Sequence, residues 1–454
     1  MNHSDLPVIK GEIHNVLAVM RQNARWASPL RFSSEPFTTL LNSTSQSNSI
    51  PLDLIAIFQN LLDILVGHSL LSTLEIEMSA SHYVYPFTCV VVSPHTSSTI
   101  TGAALSSLHK FLLYGFLRRD SLAAKEGIEM IGDAIINCKF EEVSEGEGEV
   151  VLMKLLELSG LCIRCDVGDF LSEDLIFKIF MVCYEVAVSS SNFEMSSEER
   201  KKKNVSNDID NGNGKGGNKK NVSALLSTTA ANSLAHICLC LFNRSKNDSL
   251  MASGDDEDGD DDVLNWGGEE NGVGVGVGGG GGNKNAKLEQ FVDSEASAKA
   301  EANFAVVRIM QHLSTLTNPR QNSDQTCTLA LSLINIALET STTHLSRYAT
   351  LIPIMQDDLC KHLLQLSQAE ELTILSLTLR VVFNLFNSMK DLLKVQLEVF
   401  LTSVHLRILS NAHKNSSEFE RRELALESLL EFCQEPALMQ DLYTNYDCDM
   451  QVSE

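Results

Sequence analysis

The sequence is poor in aromatic residues and proline, and it has no long uninterrupted apolar run. Aromatic residues make up 6% of the 454 residues, and there are 9 prolines and 2 tryptophans. Strands are enriched in aromatic and β-branched residues, whereas leucine- and alanine-rich sequences with little proline favour helices. No window reaches the ~18 consecutive apolar residues of a membrane-spanning helix, so the sequence predicts no membrane span.

The N-terminus lacks the layout of a signal peptide. In MNHSDLPVIKGEIHNVLAVMRQNARW, the apolar residues are interrupted by Glu12, His14, Asn15 and Arg21. The 11 cysteines are an odd number without the spacing of a disulfide framework, and most lie in apolar helical segments. Reduced, buried thiols are typical of cytosolic proteins, so we expect a soluble intracellular protein.

Basic residues are also scarce. Lys and Arg number 35 against 59 Asp and Glu, which gives a formal net charge of −24. The electric field of this negative charge repels phosphate backbones, which argues against nucleic acid as a partner. Part of the excess of acidic residues is concentrated in one segment, because Asp255–Asp262 reads DDEDGDDD.

The chain is instead rich in helical patterns, with apolar residues three and four positions apart. Examples are TGAALSSLHKFLLYGFL (101–117), EVVLMKLLELSGLCIRC (149–165) and LTILSLTLRVVFNLFNSM (372–389). Helix pairs joined by short turns usually stack on their neighbours. The sequence therefore predicts an all-α fold, an armadillo- or HEAT-like α-solenoid of stacked helical hairpins interrupted by disordered inserts. One β-like stretch with prolines, HYVYPFTCVVVSP (82–94), predicts an extended loop or buried turn.

Composition divides the chain into segments. We expect a helical domain over residues 1–245, with a disordered insert at about 190–221 that is charged and rich in Gly and Asn. An acidic, Gly-rich linker should occupy 246–295, and a second helical domain 296–454.

In the linker, Gly274, Gly276 and Gly279 match a dinucleotide-binding pattern but lack the flanking strand and helix. The acidic run fails as a calcium loop, because Asn265 stands where a glutamate is needed.

No set of residues proposes a catalytic centre. Cys162 and Cys165 have the spacing of a redox pair, yet no second metal-ligand pair and no strand-loop-helix context accompany them, so they are interpreted as structural. The histidines, including His344, His362, His405 and His413, stand singly and are interpreted as surface or hydrogen-bonded core residues. Hydrolase signatures are absent, and the sequence predicts neither an enzyme nor a cofactor or metal site.

Two charges on apolar helices admit two interpretations. Lys110 interrupts LSSLHKFLLYGF, and Glu149 heads EVVLMKLL. Lys110 could extend its charge to solvent while Glu149 interacts with the helix dipole. Alternatively, both charges lie on a face that contacts a second copy of the chain, and they fix the alignment of the two copies.

The pentapeptide Asn445-Tyr446-Asp447-Cys448-Asp449 also has two interpretations. Its alternating acids and thiol suggest a metal site or an activated nucleophile. No third ligand or positioned base is identifiable, however. A polar corner between helices, in which Asn and Asp bond the backbone while Tyr446 and Cys448 pack, explains the same residues without chemistry.

Several stretches together resemble the N-terminal region of the large Golgi-type Arf guanine-nucleotide exchange factors, the brefeldin-A-resistance or GNOM-like group. Segments 11–26, 99–117 and 149–158 resemble the dimerisation and cyclophilin-binding (DCB) domain. Segments 346–366, 377–401 and 442–449 resemble the homology-upstream (HUS) domain, whose signature box is Asn445–Asp449. The resemblance implies a regulatory region that self-associates, forms contacts between DCB and HUS domains and is recruited to Golgi membranes.

The resemblance also implies partners: a second copy of the chain, small GTPases of the Arf or Rab class, the Golgi membrane surface and cyclophilin. The expected location is the cytoplasm, peripherally on Golgi membranes. The family's catalytic exchange domain follows the HUS domain, whereas the sequence stops at Glu454. We therefore expect a truncated HUS domain and a chain that is not an enzyme by itself. The alternative is a free-standing helical-repeat trafficking adaptor.

Overall fold

The computed structural model describes residues 6–22, 54–70, 79–142, 146–203, 223–252, 304–341, 345, 348–389, 392–410, 416–436, 439–440 and 443–444. These residues are mainly helical, and within these ranges the only β-type pairing is an isolated bridge between Ser97 and Glu141. The chain divides into two compact units, Met1–Cys240 and Leu241–Glu454. The predicted all-α fold of stacked helical hairpins is confirmed.

Unit 1 is a two-layered stack of helices. Its elements are α1 (Leu6–Gln22), α2 (Leu54–Leu70), α3 (Ala80–Val92), α4 (Ser98–Leu113), α5 (Ala124–Ile136), α6 (Glu147–Arg164), the 3₁₀ turn Gly168–Phe170, α7 (Glu173–Lys203) and the first part of α8 (Ala224–Ala252). Helices α1, α4 and α6 contact one another in succession in one layer, and α3, α5 and α7 do so in the other. Neighbours such as α3 and α4 join the layers, as in an α-solenoid.

The core of unit 1 contains a chain of edge-to-face aromatic rings. Phe87 lies 5.1 Å from Phe58 and 5.1 Å from Phe111, measured between ring centroids, and Tyr83 lies 5.8 Å from Phe111. All four side chains are buried. The Tyr83 hydroxyl donates to the Phe116 carbonyl at 3.0 Å, so the polar end of this buried ring has a partner. The rings tie α2, α3 and α4 together.

Unit 2 is also built of stacked helices, and several of its elements are short. Its elements after α8 are α9 (Phe304–Leu316), α10 (Asp324–Ser341), α11 (Leu351–Pro353), a π-helical turn (Ile354–Leu359), α12 (Cys360–Leu366), α13 (Leu372–Met389), α14 (Lys394–Phe400), a second π-helical turn (Leu401–Leu406), α15 (Arg407–Ser410) and α16 (Ser416–Gln434). Helix α13 contacts α10 on one side and α16 on the other. Phe383 packs edge-to-face on Phe432, and Phe386 on Phe400.

The prediction of an extended loop or buried turn at residues 82–94 is wrong. The segment forms α3, and Pro86 lies inside the helix. Tyr83, Phe87 and Val90 follow helical spacing and are buried, so tertiary packing offsets the weak helix propensity of this stretch. A proline inside a helix lowers the stability of the helix by ~3 kcal/mol, and the same packing offsets this loss.

Two helices extend into the predicted inserts. Helix α7 continues to Lys203, since the glutamates, lysines and arginine of SSEERKKK are good helix formers. Helix α8 continues to Ala252, into the expected linker. The rest of both predicted inserts, 204–221 and 253–295, lies outside the described residues.

Two of the described helices pass a length and hydropathy test for a membrane span. They are Ala224–Ser245, with mean hydropathy 1.5, and Leu372–Met389, with mean hydropathy 1.4. This qualifies the sequence-based prediction, which required an uninterrupted apolar run. Core helices pass the same test, and 39% and 56% of the two windows are buried within the protein.

Candidate interaction site

Lys110, a candidate self-association residue, is paired within its own chain. Its Nζ lies 2.6 Å from Oε1 of Glu12 in α1. Ser107, one turn earlier in α4, donates from its hydroxyl to Glu12 Oε2 at 2.8 Å. The Glu12 side chain is 12% exposed and that of Lys110 39% exposed, so the carboxylate is largely enclosed while the ammonium still reaches solvent.

A second lysine extends this polar surface to α6. Lys154 donates from Nζ to the Gly102 carbonyl of α4 at 3.0 Å. Burial lowers its pKa, the charge of Glu157 acts in the opposite direction, and the charge of Lys110 lowers the pKa further. Glu12, Lys110 and Lys154 therefore form a polar surface across the layer of α1, α4 and α6.

Glu149, the other candidate, lies in the first turn of α6 and also has a partner within the chain. Its Oε1 accepts a hydrogen bond at 3.0 Å from the backbone N–H of Ser223, just before α8. The Ser223 hydroxyl lies 3.4 Å from the Leu226 N–H. Glu149 thus helps to satisfy the free donors at the start of α8 and is half-exposed. The structure does not bring Lys110 and Glu149 together through any hydrogen bond or ion pair between them.

Sequence reasoning missed Glu12 and Lys154. Both are charged positions within amphipathic helices, a signal no different from that of a solvated residue. Glu12 and Lys110 are separated by 98 residues, and only the stacking of α1 on α4 makes them neighbours. In the sequence, α1 and α4 each carry a charge beside an apolar stripe, and this was the signal available for the pair.

The pentapeptide Asn445–Asp449 lies outside the described residues. Just before it, Thr444 donates from its hydroxyl to the Gln440 carbonyl at 3.0 Å, and Tyr443 is 61% exposed. The interpretation of this box as an interhelical corner remains a prediction.

Two histidines are hydrogen-bonded core residues. His362 Nδ1 lies 3.0 Å from the Ser314 carbonyl oxygen. His405 Nδ1 lies 3.3 Å from the Phe400 carbonyl and its Nε2 lies 3.0 Å from Ser428 Oγ. Because a carbonyl only accepts, Nδ1 of His405 carries the proton and Nε2 accepts from Ser428. His344 and His413 lie outside the described residues.

The described cysteines are free thiols. Cys165 Sγ donates to the Cys162 carbonyl at 3.3 Å, and Cys162 is fully buried at the end of α6. Among the ranges given above, no group of three or more His, Cys, Asp and Glu residues is placed to hold a metal ion.

Comparison with known proteins relates this architecture to a family. Residues 302–454 match the model of the Mon2/Sec7/BIG1-like HUS domain. The chain is 27% identical over 492 residues to the ARF guanine-nucleotide exchange factor GNL1 of Arabidopsis thaliana, covering 98% of the chain and 31% of that protein. It is 26% identical to GNOM of the same plant, with 98% and 30% covered.

An animal protein shows the same relationship. The chain is 26% identical to the Golgi-specific brefeldin A-resistance guanine nucleotide exchange factor 1 homolog of Caenorhabditis elegans, with 82% of the chain and 23% of that protein covered. The chain thus spans less than a third of the length of these curated relatives.

The fold is one of stacked helical hairpins, and its C-terminal third, residues 302–454, is the part that matches the HUS domain model. The chain is homologous, over nearly its whole length, to the N-terminal region of the large Arf guanine-nucleotide exchange factors, which confirms the resemblance. The matches cover the N-terminal region of those relatives and not their catalytic Sec7 domain.

Proposed function

We propose that this chain is the regulatory region of an Arf guanine-nucleotide exchange factor that acts in Golgi vesicle transport. The observation that carries the proposal is the HUS match over residues 302–454, together with alignment of nearly the whole chain to GNL1 and GNOM. A two-layered helical stack suits this role, since it offers long surfaces for protein contacts.

We further propose that the region works through self-association of unit 1, contacts between its DCB-like and HUS-like parts, and peripheral recruitment to Golgi membranes. An Arf-class GTPase is the partner implied by the relatives' names. A Rab-class GTPase and cyclophilin are further candidate partners. Lys110 and Glu149 are the candidate residues for self-association, because both side chains remain partly exposed while holding their intrachain partners.

Light scattering over a range of protein concentrations tests self-association. We expect the mass to rise from that of a single 49.9-kDa chain toward twice that value. Lys110→Glu with Glu149→Lys should shift the midpoint to higher concentration. Lys125→Glu with Glu126→Lys makes the same charge changes at two exposed positions of α5 and is the control. A wild-type chain that stays monomeric throughout contradicts self-association, whatever the variants do.

Nucleotide exchange tests the regulatory role. The chain alone should not accelerate nucleotide release from an Arf GTPase on vesicles. Added in trans to the exchange domain of a relative such as GNL1, it should change the release rate or the fraction bound to vesicles. No change in either quantity contradicts the proposal.

A further inference from the structure

The loop between α4 and α5 contains the sequence RRDSL at residues 118–122. Two arginines stand three and two positions before Ser121, and the apolar Leu122 follows it. In the whole sequence, no other Ser or Thr has Lys or Arg at both of these positions. Protein kinases that select such a pattern hold the arginines with their own carboxylates, because charge-assisted hydrogen bonds between these groups are strong and directional.

The structure places this sequence on the surface of unit 1. Arg118, Arg119 and Asp120 are exposed, Leu122 is 55% exposed and Ser121 is partly exposed. The five residues form turns after the end of α4 and before the start of α5. A surface loop of this kind is the part of a fold that another enzyme can reach and draw into its own site.

Short-range hydrogen bonds hold the serine in the loop. Its Oγ accepts from the Arg118 N–H at 3.2 Å, and its N–H donates to the Arg118 carbonyl at 3.1 Å. Its carbonyl accepts from the Ala124 N–H at 3.1 Å. A hydroxyl oxygen has two lone pairs, so Ser121 Oγ can accept this hydrogen bond and still offer one lone pair to a phosphorus atom. After the serine, the Leu122 carbonyl accepts from the Ala80 N–H at 2.8 Å and fixes the loop to α3.

Both arginines have partners that a kinase can replace. Arg118 donates from Nε to the Gly115 carbonyl at 2.8 Å. Arg119 donates from Nε to the Asp166 carbonyl at 2.7 Å and pairs through Nη2 with the Asp169 carboxylate. All of these contacts are exposed, and exposed ion pairs are weak because solvent screens them. The carboxylates of a kinase can therefore compete for the two guanidinium groups.

The surroundings of the serine also suit a phosphate group. A phosphoserine adds a charge of about −1.5 to −2 at neutral pH. Arg118, Arg119 and the exposed Lys125 favour this charge, while Asp120 and Glu126 oppose it. The serine also precedes the N-terminus of α5, where the helix dipole favours negative charge. The folded chain should therefore carry the phosphate without loss of stability.

We propose that Ser121 is a phosphorylation site for a protein kinase that selects arginine at the second and third positions before serine. Ser121 Oγ attacks the γ-phosphorus of ATP, and the new Oγ–P bond forms as the bond from that phosphorus to the β,γ-bridging oxygen breaks. ADP leaves with the electron pair of the broken bond, and the hydroxyl proton passes to the catalytic carboxylate of the kinase. The proposal is independent of the exchange-factor assignment, because it rests on residues 118–122.

Phosphorylation of the whole chain in vitro tests the site. The probe is the catalytic subunit of the cAMP-dependent protein kinase with ATP and Mg²⁺, and peptide mapping by mass spectrometry follows each serine with time. Ser121 should be modified first. Ser323 and Ser410 are comparison sites within the chain, since both are exposed and each follows a single arginine, Arg320 or Arg407, by three residues. Their initial rates should be about tenfold lower or less.

Matched variants test the role of the arginines. Ser121→Ala should abolish modification of the loop, and Arg118→Gln should lower the initial rate at the serine about tenfold. Arg164→Gln removes the same charge from an exposed position at the end of α6 and should leave that rate unchanged. Melting temperatures of the variants and of the phosphorylated chain should stay near that of the wild type, because the changed groups lie on the surface.

A synthetic peptide of residues 114–126 separates recognition of the pattern from access to it in the fold. We expect the peptide and the folded chain both to be modified at Ser121. Modification of the peptide without the chain would mean that the fold hides the serine, and modification of neither would mean that the pattern is not recognised. Either result overturns the proposal. Equal rates for wild type and Arg118→Gln, or earlier modification of Ser323 or Ser410, also overturn it. So does simultaneous modification of Ser245, which is 2% exposed, because it would show that the kinase acts on unfolded chains.

Discussion

Lys110 in α4 and Glu12 in α1 form an ion pair with 2.6 Å between Nζ and Oε1, across 98 residues of sequence. Ser107 occupies the other carboxylate oxygen at 2.8 Å. Both donors come from one face of α4, so the pair fixes the rotation of α1 against the stack. The same lysine was a candidate for contact with a second chain.

Replacing Lys110 with methionine should lower the free energy of unfolding by about 1 kcal/mol. The largely enclosed Glu12 would lose its charged partner, although the exposure of Lys110 limits the effect through solvent screening. Chemical denaturation measures the change. Lys125→Met, at an exposed lysine of α5, is the control and should have little effect.

A loss for Lys110→Met that depends on protein concentration would show that the lysine acts mainly between chains. A double-mutant cycle that combines Lys110→Met with Glu12→Gln should give a coupling energy that shows a stabilising interaction between the two side chains.

Glu149→Ala should weaken the start of α8. The Ser223 N–H would lose its acceptor, and loss of such a capping interaction costs about 1 kcal/mol. Hydrogen exchange at the Ser223 amide should accelerate. Glu157→Ala, at an exposed glutamate of the same helix, is the control. Unchanged exchange in Glu149→Ala would mean that this hydrogen bond does not hold the helix start in solution.

Stability should fall as the pH drops below 6.5. Burial lowers the pKa of His405 from its usual 6.5, and the Phe400 carbonyl opposes this only in part. The unfolded chain therefore binds a proton at a higher pH than the folded chain does, so acid favours unfolding through this window. His312, whose pKa burial also lowers, acts in the same direction.

Urea midpoints at pH 7.5 and pH 5.5 measure this dependence, since histidine is the side chain whose ordinary pKa lies between these two pH values. His405→Gln keeps a donor and an acceptor for Phe400 and Ser428 but cannot titrate, so its two midpoints should differ less than those of the wild type. An equal difference would rule out His405 as a source of the acid sensitivity.

Phe87→Ala should destabilise unit 1 by about 3–5 kcal/mol, because this fully buried ring contacts Phe58 and Phe111 on either side. Thermal unfolding measures the loss. Tyr114→Ala, at a ring that is 64% exposed, should stay within about 0.5 kcal/mol of the wild type. Similar losses for the two variants would contradict the placement of Phe87 in the core.

Thiol labelling should distinguish the cysteines. Burial raises the pKa of Cys183 and of Cys238 to about 12, which leaves almost no thiolate at neutral pH. Cys433 is exposed at the end of α16. Mass spectrometry after brief maleimide treatment should find Cys433 modified and Cys183 and Cys238 intact. Early labelling of the two buried residues would indicate opening of the stack.

Sequence patterns predicted the fold where one helical face was clearly apolar, as in α4, α6 and α13. They failed for α3, because Pro86 and the β-branched residues favour other local structure, while burial of Tyr83, Phe87 and Val90 decides the outcome. Lys110 and Glu149 stood out as charges on apolar helices. Their partners, Glu12 and the Ser223 N–H, could not be found, since contacts far apart in sequence leave no local signal.

The sequence by itself determined that this chain is a stack of helices and that it is related to the large Arf exchange factors, because periodicity and ordered motifs are local properties of the chain. The tertiary structure decided which charges meet, which histidines are buried and which apolar residues stay outside. Phe419, Leu426 and Leu430 show the difference. Their spacing is that of a core face, and only the packing of the other side of α16 on α13 leaves them exposed to solvent.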